Sequence, residues 1–453
     1  MKLLLSLAAV ACLALGPTSA AHADVLFGAS DDYGKYADDG GTWFFSELRA
    51  AGLTSNKITV NWDSTRPLEI TERAFLDRAI PVAQAEGVQL SFGIHVGKAR
   101  AITSDPEALE KFTQWLRILA VSYPQVKEFV VGNEPNLTRF WQPQFTDDGT
   151  GASGRAFAKF LAASYDALKD VDPAITVVGV GLSPRGNDMP NAPSNVSTSP
   201  VKFIHDLGIG YARLQRDKPI MDVFGFHPYP AKDRDPLAKG YRWPNAGVAN
   251  LDRIKQAIWD AFGNTAQPTF AERGLEQEDP LTFKLDEVGW QVAIPAPNRK
   301  AYFGRESVVP TTEAQQAQIY RQLVRKVACD RSVRELLFFG LVDEPNLDRW
   351  QAAVVRADRT RRPAWATVRT AVAEGCRGRF TSWRHATGVV GASVRRAGGR
   401  ILVTAAEDAA VTVGTASFSL RAYRTLAIRA TGRPTVRLIA VVNPSRRSFL
   451  RVR

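Results

Sequence analysis

The sequence predicts an α/β fold: a (β/α)8 TIM barrel followed by a small C-terminal antiparallel β-sandwich. In the first 375 of the 453 residues, eight short apolar or β-branched runs alternate with longer amphipathic stretches. Strands this apolar, each followed by a helix, indicate a parallel sheet that is covered on its outer face. After Gly375 the pattern changes to short alternating runs separated by Gly, Pro or polar turns, which is typical of antiparallel strands.

Each of the eight strand candidates ends at turn residues. The candidates are 24–30, 57–62, 88–95, 126–132, 175–181, 221–227, 281–287 and 333–342. The stretches between them have helical periodicity, as in 106–123, where Ser104 and Glu107 form the S-x-x-E pattern that starts many helices. Eight such units favour a closed barrel over an open doubly wound sheet.

The first 23 residues have the features of a secretory signal peptide: Lys2, an apolar run of fourteen residues, and small residues that end at Ala23. The run is too short to span a membrane, and no later apolar stretch is long enough. We therefore expect cleavage after Ala23 and a secreted, extracellular protein. A lipid anchor on Cys12 is the alternative, but Ala9 stands where a leucine is usual. The predicted organisation is a signal peptide at 1–23, the barrel at 24–376 and a basic β-sandwich at 377–453.

Cleavage would leave two cysteines, Cys329 and Cys376, both near the ends of predicted helices. In an oxidising compartment we expect them to form one structural disulfide. The five histidines include no Cys/His cluster with metal-ligand spacing, and no glycine pattern of a dinucleotide or phosphate loop stands out. The sequence therefore predicts no cofactor and no metal.

The net charge of +12 is concentrated at the C-terminus. From Arg377 to Arg453 the chain has fifteen arginines, no lysine and two acids, Glu407 and Asp408. Such a module could hold an anionic envelope polymer. The alternative is an arginine-rich surface that reflects a compositional bias of the genome. We do not expect a nucleic acid as partner, for two reasons. The protein is predicted to be exported, and the basic residues of the C-terminal segment are not interleaved with aromatic ones.

Two glutamates stand out at the predicted ends of strands. Glu134 in VVGNEPN closes the fourth strand, and Glu287 in KLDEVGWQ closes the seventh. In a (β/α)8 barrel the C-terminal strand ends converge on one mouth, where the chemistry takes place. Cleavage of a glycosidic bond needs two opposed carboxyl groups, one to protonate the leaving oxygen and one to attack the sugar carbon. The pair therefore predicts a poly- or oligosaccharide substrate.

Asn-Glu-Pro at the end of the fourth strand, with a second glutamate at the end of the seventh, resembles the clan A retaining glycoside hydrolases. The resemblance covers roughly residues 24–375. It implies that Glu134 is the acid/base, that Glu287 is the nucleophile and that Asn133 bonds the sugar 2-hydroxyl.

Further residues carry the same resemblance and imply substrate contacts. His227 and Tyr229 in FGFHPYP match the His-x-Tyr that ends the sixth strand in cellulase-like members, and His95 in SFGIH matches the histidine that closes their third strand. The run from Glu287 to Trp290 is E-x-G-W, which is similar to clan members that act on β-1,3-glucans and galactans. Taken singly, each histidine is also compatible with a structural role.

Aromatic residues near the strand ends are candidates for stacking on sugar rings. Trp290 and Trp350 are in such positions, and Phe140 and Trp141 follow NEPN on a loop. Each is equally compatible with burial in the core, because aromatic residues contribute large buried areas anywhere in a protein.

The phrase NEPN is nearly repeated as VDEPN at 342–346, which puts Glu344 at the end of the eighth strand. Glu344 is a sugar-binding candidate or a second candidate for the nucleophile. The clan pattern favours Glu287, because its nucleophile lies on the seventh strand. The clan often has an arginine near the second strand that orients the nucleophile, and Arg66 lies several residues beyond that position.

Together these patterns predict a secreted retaining glycoside hydrolase that cleaves a β-linked glycan, such as a glucan, xylan or mannan, by double displacement. Two alternatives remain open. The barrel could bind carbohydrate without cleaving it, in adhesion or envelope attachment, or it could transfer the sugar to an acceptor in place of water. Relatives that only bind typically lose one of the two acids, whereas this chain keeps both.

Overall fold

The computed structural model describes residues 25–275, 277–441 and 446–452. The predicted signal peptide at 1–23 lies outside the described residues. Among the described residues, none of the helices combines the length and the apolar composition needed to cross a membrane.

Eight parallel strands form a barrel in the order of the sequence: consecutive strands pair with each other, and β1 pairs with β8 to close it. This confirms the predicted fold class. The strands are β1 (Leu26–Ser30), β2 (Ser55–Asn61), β3 (Gln89–His95), β4 (Glu128–Val131), β5 (Thr176–Leu182), β6 (Val223–Phe226), β7 (Thr282–Val288) and β8 (Val333–Phe339).

Helices cover the outer face of the barrel, with apolar residues at helical spacing turned toward the strands. The longest helix, for example, buries Phe157, Phe160 and Leu161. The helices are α1 (Tyr33–Tyr36), α2 (Thr42–Ala50), α3 (Arg73–Ala85), α4 (Ala108–Ser122), α5 (Ser153–Val171), α6 (Pro200–Leu214), α7 (Leu251–Phe262), α8 (Glu313–Ala328) and α9 (Pro363–Glu374). Short 3-10 turns occur at Val248–Asn250 and Ala296–Ala301.

The helix-start pattern at Ser104 and Glu107 does not form the predicted cap. α4 begins at Ala108, one residue after Glu107, and its first turn has no side-chain cap. The hydroxyl of Ser104 instead donates to the carbonyl of Arg100 at 2.7 Å. The local turn therefore takes up the serine before the helix begins.

Charged side chains fill the barrel interior near the N-terminal ends of the strands. Lys284 on β7 places its Nζ 2.6 Å from Glu335 Oε2 and 3.0 Å from Ser91 Oγ, and it also contacts Glu128. All four side chains are buried. The buried cation is tolerated because carboxylates and a hydroxyl satisfy its donors. This layer closes the barrel floor below the mouth.

Beyond the barrel, the described part of the chain forms seven strands in two antiparallel sheets. One sheet has the order β13-β10-β9 and the other β12-β11-β14-β15. Alternate residues of these strands are buried in a shared core that includes Ile401, Val411 and Leu438. The strands are β9 (Ala392–Ala397), β10 (Arg400–Ala405), β11 (Ala409–Val413), β12 (Ala416–Leu420), β13 (Thr425–Arg429), β14 (Thr435–Ala440) and β15 (Arg447–Arg451).

The connection from the barrel to these sheets is cross-linked. Cys329 at the end of α8 and Cys376 after α9 form a disulfide, with a Cα–Cα distance of 4.9 Å. Further along, the ring of His385 stacks on Trp259 of α7 at a centroid distance of 3.7 Å. Its Nδ1 also lies 2.6 Å from Glu272 Oε1. These contacts attach the start of the C-terminal segment to the side of the barrel.

The two sheets also contact loops at the barrel mouth. Tyr423 stacks on Trp243, which lies in the loop after β6, at a centroid distance of 6.1 Å. The guanidinium of Arg424 donates to the carbonyl of Asp148, in the loop after β4, at 3.3 Å. The C-terminal sheets therefore pack beside the end of the barrel where the strands finish.

Candidate active site

Glu134 lies just beyond β4, in a turn with unusual backbone conformation. Gly132 has a φ of 93° and Glu134 a φ of 41°, both in the left-handed region. Glycine adopts this region freely, whereas a glutamate does so at a cost in strain. The N–H of Glu134 donates to the carbonyl of Gly181 at 2.8 Å, which holds the turn against β5. Strained positions of this kind cluster at functional sites.

At the end of β7, a register irregularity between Leu285 and Val288 redirects the last side chains. Neighbouring residues of a regular strand point to opposite faces, yet Asp286 and Glu287 both reach one cation. Lys57 Nζ lies 2.9 Å from Asp286 Oδ2 and 3.0 Å from Glu287 Oε1. The bulge thus brings two consecutive carboxylates to the same place in the barrel, as bulges beside active sites often do.

His227, just after β6, connects the two glutamates. Its Nδ1 lies 3.2 Å from Glu134 Oε1 and 3.5 Å from Glu287 Oε2. The two carboxylate oxygens are therefore at most about 6.7 Å apart, the sum of 3.2 and 3.5 Å. Its Nε2 lies 3.2 Å from Asp286 Oδ2. The imidazole is fully buried, whereas the glutamate side chains stay 15% and 14% exposed, so a ligand at the mouth can reach them.

Gly181 leaves the space that His227 needs. A Cβ added there would lie 3.2 Å from the Gly132 carbonyl oxygen and 3.3 Å from His227 Nε2. Its φ of 57° is also in the left-handed region. Any other residue would press on the imidazole, because contacts this short are tighter than ordinary van der Waals packing.

The charges of this group determine its protonation. Burial alone would lower the pKa of His227, but the carboxylates of Glu287 and Asp286 outweigh it and raise that pKa to about 10. Burial would raise the pKa of Glu287, but His227 and Lys57 hold it below its usual value. The pKa of Asp286 is also held down, by Lys57 and His227 against its burial. Near neutral pH the group therefore combines an ionised Glu287 with an imidazolium that donates from both nitrogens.

Tyr229 and Trp350 lie beside Glu287. The hydroxyl of Tyr229 donates to Glu287 Oε2 at 3.0 Å. Burial, followed by the negative charges of Glu287 and Glu134, raises the pKa of Tyr229 well above its usual value, so the hydroxyl keeps its proton. Trp350 packs against the Tyr229 ring at a centroid distance of 4.9 Å and remains partly exposed. Its ring also lies 5.4 Å from that of Phe339, centroid to centroid, so Trp350 completes an aromatic group beside Glu287.

Asn133 and His95 share a small cavity on the other side of Glu134. Asn61 and Phe140 also line it, and the His95 and Phe140 rings meet at a centroid distance of 6.5 Å. Burial, together with the positive charge of Lys57, lowers the pKa of His95 to about 4. This imidazole is therefore neutral in ordinary buffers, with one ring nitrogen free to accept a hydrogen bond.

Two of the tryptophans for which the sequence allowed either sugar stacking or burial, Trp290 and Trp141, lie in the core. Trp290 is 2% exposed, and its indole N–H donates to the carbonyl of Asp235 at 3.0 Å. In contrast to its predicted substrate contact, its ring has almost no surface left for a ligand. Trp141 is also 2% exposed and packs against Phe157 and Phe160.

Glu344 and Arg66 are not among the residues that contact His227 or Glu287. Glu344 is exposed, and its Oε2 accepts the N–H of Trp350 at 3.2 Å. In the VDEPN phrase the buried acid is Asp343, whose two oxygens bind the Arg362 guanidinium at 2.7 and 2.5 Å. Arg66 is 55% exposed and pairs with Asp63 at 3.3 Å. The cation that contacts Glu287 is Lys57 instead.

Lys57 and Asp286 were not among the predicted site residues, although the alternation of residues in β2 contains a signal for Lys57. In β2, Ser55, Lys57 and Asn61 share one face, while Ile58 and Val60 lie on the other and are buried. A lysine on the polar face of a strand in a closed barrel points into the lumen, where only an anion can compensate it. Such a lysine predicts a buried carboxylate on another strand.

Among the described residues no group of three or more His, Cys, Asp or Glu side chains is arranged to hold a metal ion.

Comparisons with known proteins relate this fold to glycoside hydrolases. A family 39 glycoside hydrolase from Bacteroides cellulosilyticus WH2 aligns with a TM-score of 0.51 at 14% identity, over 92% of this chain and 70% of that chain. A monomeric beta-xylosidase from Caulobacter crescentus CB15 aligns with a TM-score of 0.48 at 17% identity, over 86% and 73%. A GH5_18 protein from Bifidobacterium longum subsp. infantis gives 0.48 at 14% identity, over 81% of each chain.

At these identities the likeness concerns the fold alone. No family model matches the sequence. No curated protein matches it either. The fold is that of the (β/α)8 barrels found in glycoside hydrolases, as the resemblance to clan A predicts.

Proposed function

We propose that the protein is a secreted retaining glycoside hydrolase that cleaves a β-linked glycan by double displacement. The carrying observation is the position of His227, which contacts one oxygen of Glu134 and one of Glu287 and so keeps them within about 6.7 Å. Retaining enzymes hold their two carboxyl groups about 5–5.5 Å apart, whereas inverting enzymes need about 6.5–9.5 Å to admit a water. The upper bound of about 6.7 Å on this oxygen pair includes the whole retaining range and only the lower edge of the inverting range, which supports the retaining geometry.

In the first step Glu287 attacks the anomeric carbon of the sugar. The bond from this carbon to the glycosidic oxygen breaks, and the leaving oxygen takes a proton from Glu134. The lowered pKa of Glu287 suits a nucleophile, because the attacking carboxylate must be ionised. His227 donates to Oε1 of Glu134, which leaves the other oxygen to carry the transferred proton.

In the second step water replaces the enzyme at the anomeric carbon. Glu134, now a carboxylate, accepts a proton from the water while the water oxygen bonds to the carbon. The ester bond to Glu287 breaks, and both carboxyl groups return to their starting states. The sugar keeps its anomeric configuration, since the carbon is inverted twice.

Neighbouring side chains hold the nucleophile in place. Lys57 contacts Oε1 of Glu287, and Tyr229 donates to Oε2. Both interactions restrict rotation of the carboxylate and keep it ionised before the attack. When negative charge leaves the carboxylate on bond formation, the same two donors remain available to restabilise it as the ester breaks.

The remaining predicted site residues suit substrate binding. Asn133 and His95 line the cavity beside Glu134, with donor and acceptor groups for sugar hydroxyls. Trp350 offers a partly exposed ring beside Tyr229. At the rim, Phe303 is 61% exposed and would widen the aromatic surface. We place these residues in the sugar-binding part of the cleft and leave Trp290 in the core.

The N-terminal signal pattern supports export, and the disulfide suits an oxidising compartment. We therefore place the enzyme outside the cell, with the barrel at 24–376 as the catalytic unit. A polymer outside the cell is the substrate that such an enzyme would meet.

The test is the release of reducing ends from defined polymers. The full chain is incubated with soluble β-glucan, xylan and mannan, beside Glu134→Gln at equal concentration. We expect release from at least one polymer, and a rate about 10²- to 10⁴-fold lower in the variant, as for loss of a general acid. Binding without release from any polymer would show a carbohydrate-binding barrel instead. Sugar transfer to an added alcohol, exceeding hydrolysis, would show a transglycosylase.

A further inference from the structure

The outer face of the four-stranded C-terminal sheet carries a compact group of cationic and aromatic side chains. In the β14–β15 pairing, Arg437 lies opposite Phe449, Ile439 opposite Arg447 and Thr435 opposite Arg451. Because partners across an antiparallel pair share a face, these residues point away from the core, while Val436 and Leu438 point into it. We call Arg437, Arg447, Phe449 and Arg451 the arginine face.

The rest of this sheet surface is neutral. β11 pairs with β14 on one side and with β12 on the other. These pairings place Ala410, Thr412, Ser417 and Ser419 on the same face as Arg437. The two acids of the C-terminal segment are engaged elsewhere: Glu407 pairs with Arg446 at 3.0 Å, and Asp408 accepts the N–H of Ala422 at 2.8 Å. Among the described residues, the arginine face therefore carries positive charge with no carboxylate beside it.

Phe449 gives the face an apolar centre. Its side chain is 61% exposed, and the Arg437 guanidinium lies 5.8 Å from its ring centroid. Arg451 lies four positions after Arg447 on an extended strand, so the two cations flank the ring over about 13 Å. Arginine and aromatic side chains are both enriched in the binding surfaces of proteins, and on this face they lie next to one another.

The chemistry of the face selects the ligand. Arginine forks bind carboxylates in a bidentate manner, and an aromatic ring packs against the C–H face of a sugar. A polymer of sugars that carry carboxylates offers both groups in alternation along an extended chain. A polyanion without such C–H faces would bind the arginines but would not pack against the Phe449 ring.

We propose that the arginine face is a binding site for an acidic polysaccharide, a uronate-containing glycan chain. The choice of a glycan among polyanions rests on the proposed function. The site would attach the polymer to the module that contacts the loops after β4 and β6 through Arg424 and Tyr423. The affinity would fall steeply with salt, since arginines that bind the polymer displace its counterions.

The test measures binding rather than cleavage, so it stands apart from the test of catalysis. Polygalacturonate is titrated into the full chain by calorimetry at low salt, beside a neutral β-glucan and single-stranded DNA. The triple variant Arg437→Ser, Arg447→Ser, Arg451→Ser is compared with a matched triple variant on the other sheet: Arg395→Ser, Arg400→Ser, Arg429→Ser. The three control arginines share the outer face of the β13-β10-β9 sheet, and their replacement removes the same number of positive charges.

We expect the first triple variant to bind polygalacturonate at least tenfold more weakly, and the matched variant to bind like the wild type. Phe449→Ser, at an exposed position, should weaken binding of the glycan with no change in melting temperature. Equal losses in both triple variants would show a non-specific charge effect and overturn the proposal. So would unchanged binding in the first variant, unchanged binding in Phe449→Ser, or DNA binding as tight as that of the glycan.

Discussion

Lys57 on the second strand lies 3.0 Å from Glu287 at the end of the seventh, so a buried lysine directly pairs with the proposed nucleophile. The same amine contacts Asp286 at 2.9 Å. Burial alone would lower the pKa of Lys57, but the two carboxylates outweigh it and raise that pKa, so the amine is always charged. Lys57 lies closer to the Glu287 carboxylate than His227 does, whose Nδ1 is 3.5 Å from Oε2.

Replacing this charge should alter both activity and stability. Lys57→Met leaves two buried carboxylates without their cation, which costs about 3–5 kcal/mol in the free energy of unfolding. The pKa of Glu287 should rise, and the acidic limb of the kcat/KM profile should move upward by about one pH unit or more. Urea unfolding and a pH–rate profile measure the two effects.

Two variants separate the role of Lys57 from general damage. Lys57→Arg keeps the charge and should restore the acidic limb to near its wild-type position. Arg66→Gln removes the exposed arginine that was compared with the nucleophile-orienting arginine of clan A. This variant should leave kcat/KM and its pH profile unchanged. An acidic limb that stays in place in Lys57→Met would contradict the assigned role.

His227 should make stability fall at alkaline pH. Its pKa in the folded protein, about 10, is raised above the ordinary value of 6.5. The imidazolium therefore binds its proton more tightly in the folded state. The stability it contributes is fully present below pH 6.5 and is lost as pH rises to about 10, by an amount on the order of a few kcal/mol.

The measurement is the free energy of urea unfolding at several pH values from 6 to 10, for wild type and His227→Gln. Subtracting the two curves removes the titration of tyrosines and lysines common to both. We expect the difference to shrink as pH rises. A difference that is constant over this range would mean that the imidazole does not hold its extra proton in the folded state.

The position of much of the candidate site could be predicted from the sequence, because turn residues mark where each strand ends. Turn residues after each apolar run placed Glu134, His227 and Glu287 at one end of a barrel, and the barrel rule put that end at the mouth. The strand bounds differ from the predicted ones by a few residues only, as for β8, expected at 333–342 and found at Val333–Phe339.

What escaped prediction depends on contacts between distant segments. The bulge that turns Asp286 and Glu287 toward one lysine leaves no mark in the composition of β7. The burial of Trp290 follows from a hydrogen bond to Asp235, 55 residues earlier. Likewise, the near-identical phrases NEPN and VDEPN have different environments: Asp343 of VDEPN is buried against Arg362, whereas its counterpart in NEPN is Asn133 and the acid of NEPN, Glu134, stays partly exposed.

The stereochemistry of the first product tests the double displacement. Hydrolysis of a β-linked oligosaccharide, followed by proton NMR within the first minutes, reports the anomer released before mutarotation. We expect the β-anomer first, since two inversions restore the configuration. Initial release of the α-anomer would indicate a single displacement, in which Glu287 activates a water instead of attacking the sugar.

The central claim is that Glu287, and not the acid of the near-repeat, attacks the sugar. The direct measurement is the rate of reducing-end release by Glu287→Gln and by Glu344→Gln, the same change at the two candidate positions. Glu344 is exposed and lies outside the group around His227. We predict a loss of at least about 10⁴-fold for Glu287→Gln and near wild-type turnover for Glu344→Gln. Full activity in Glu287→Gln would contradict the account.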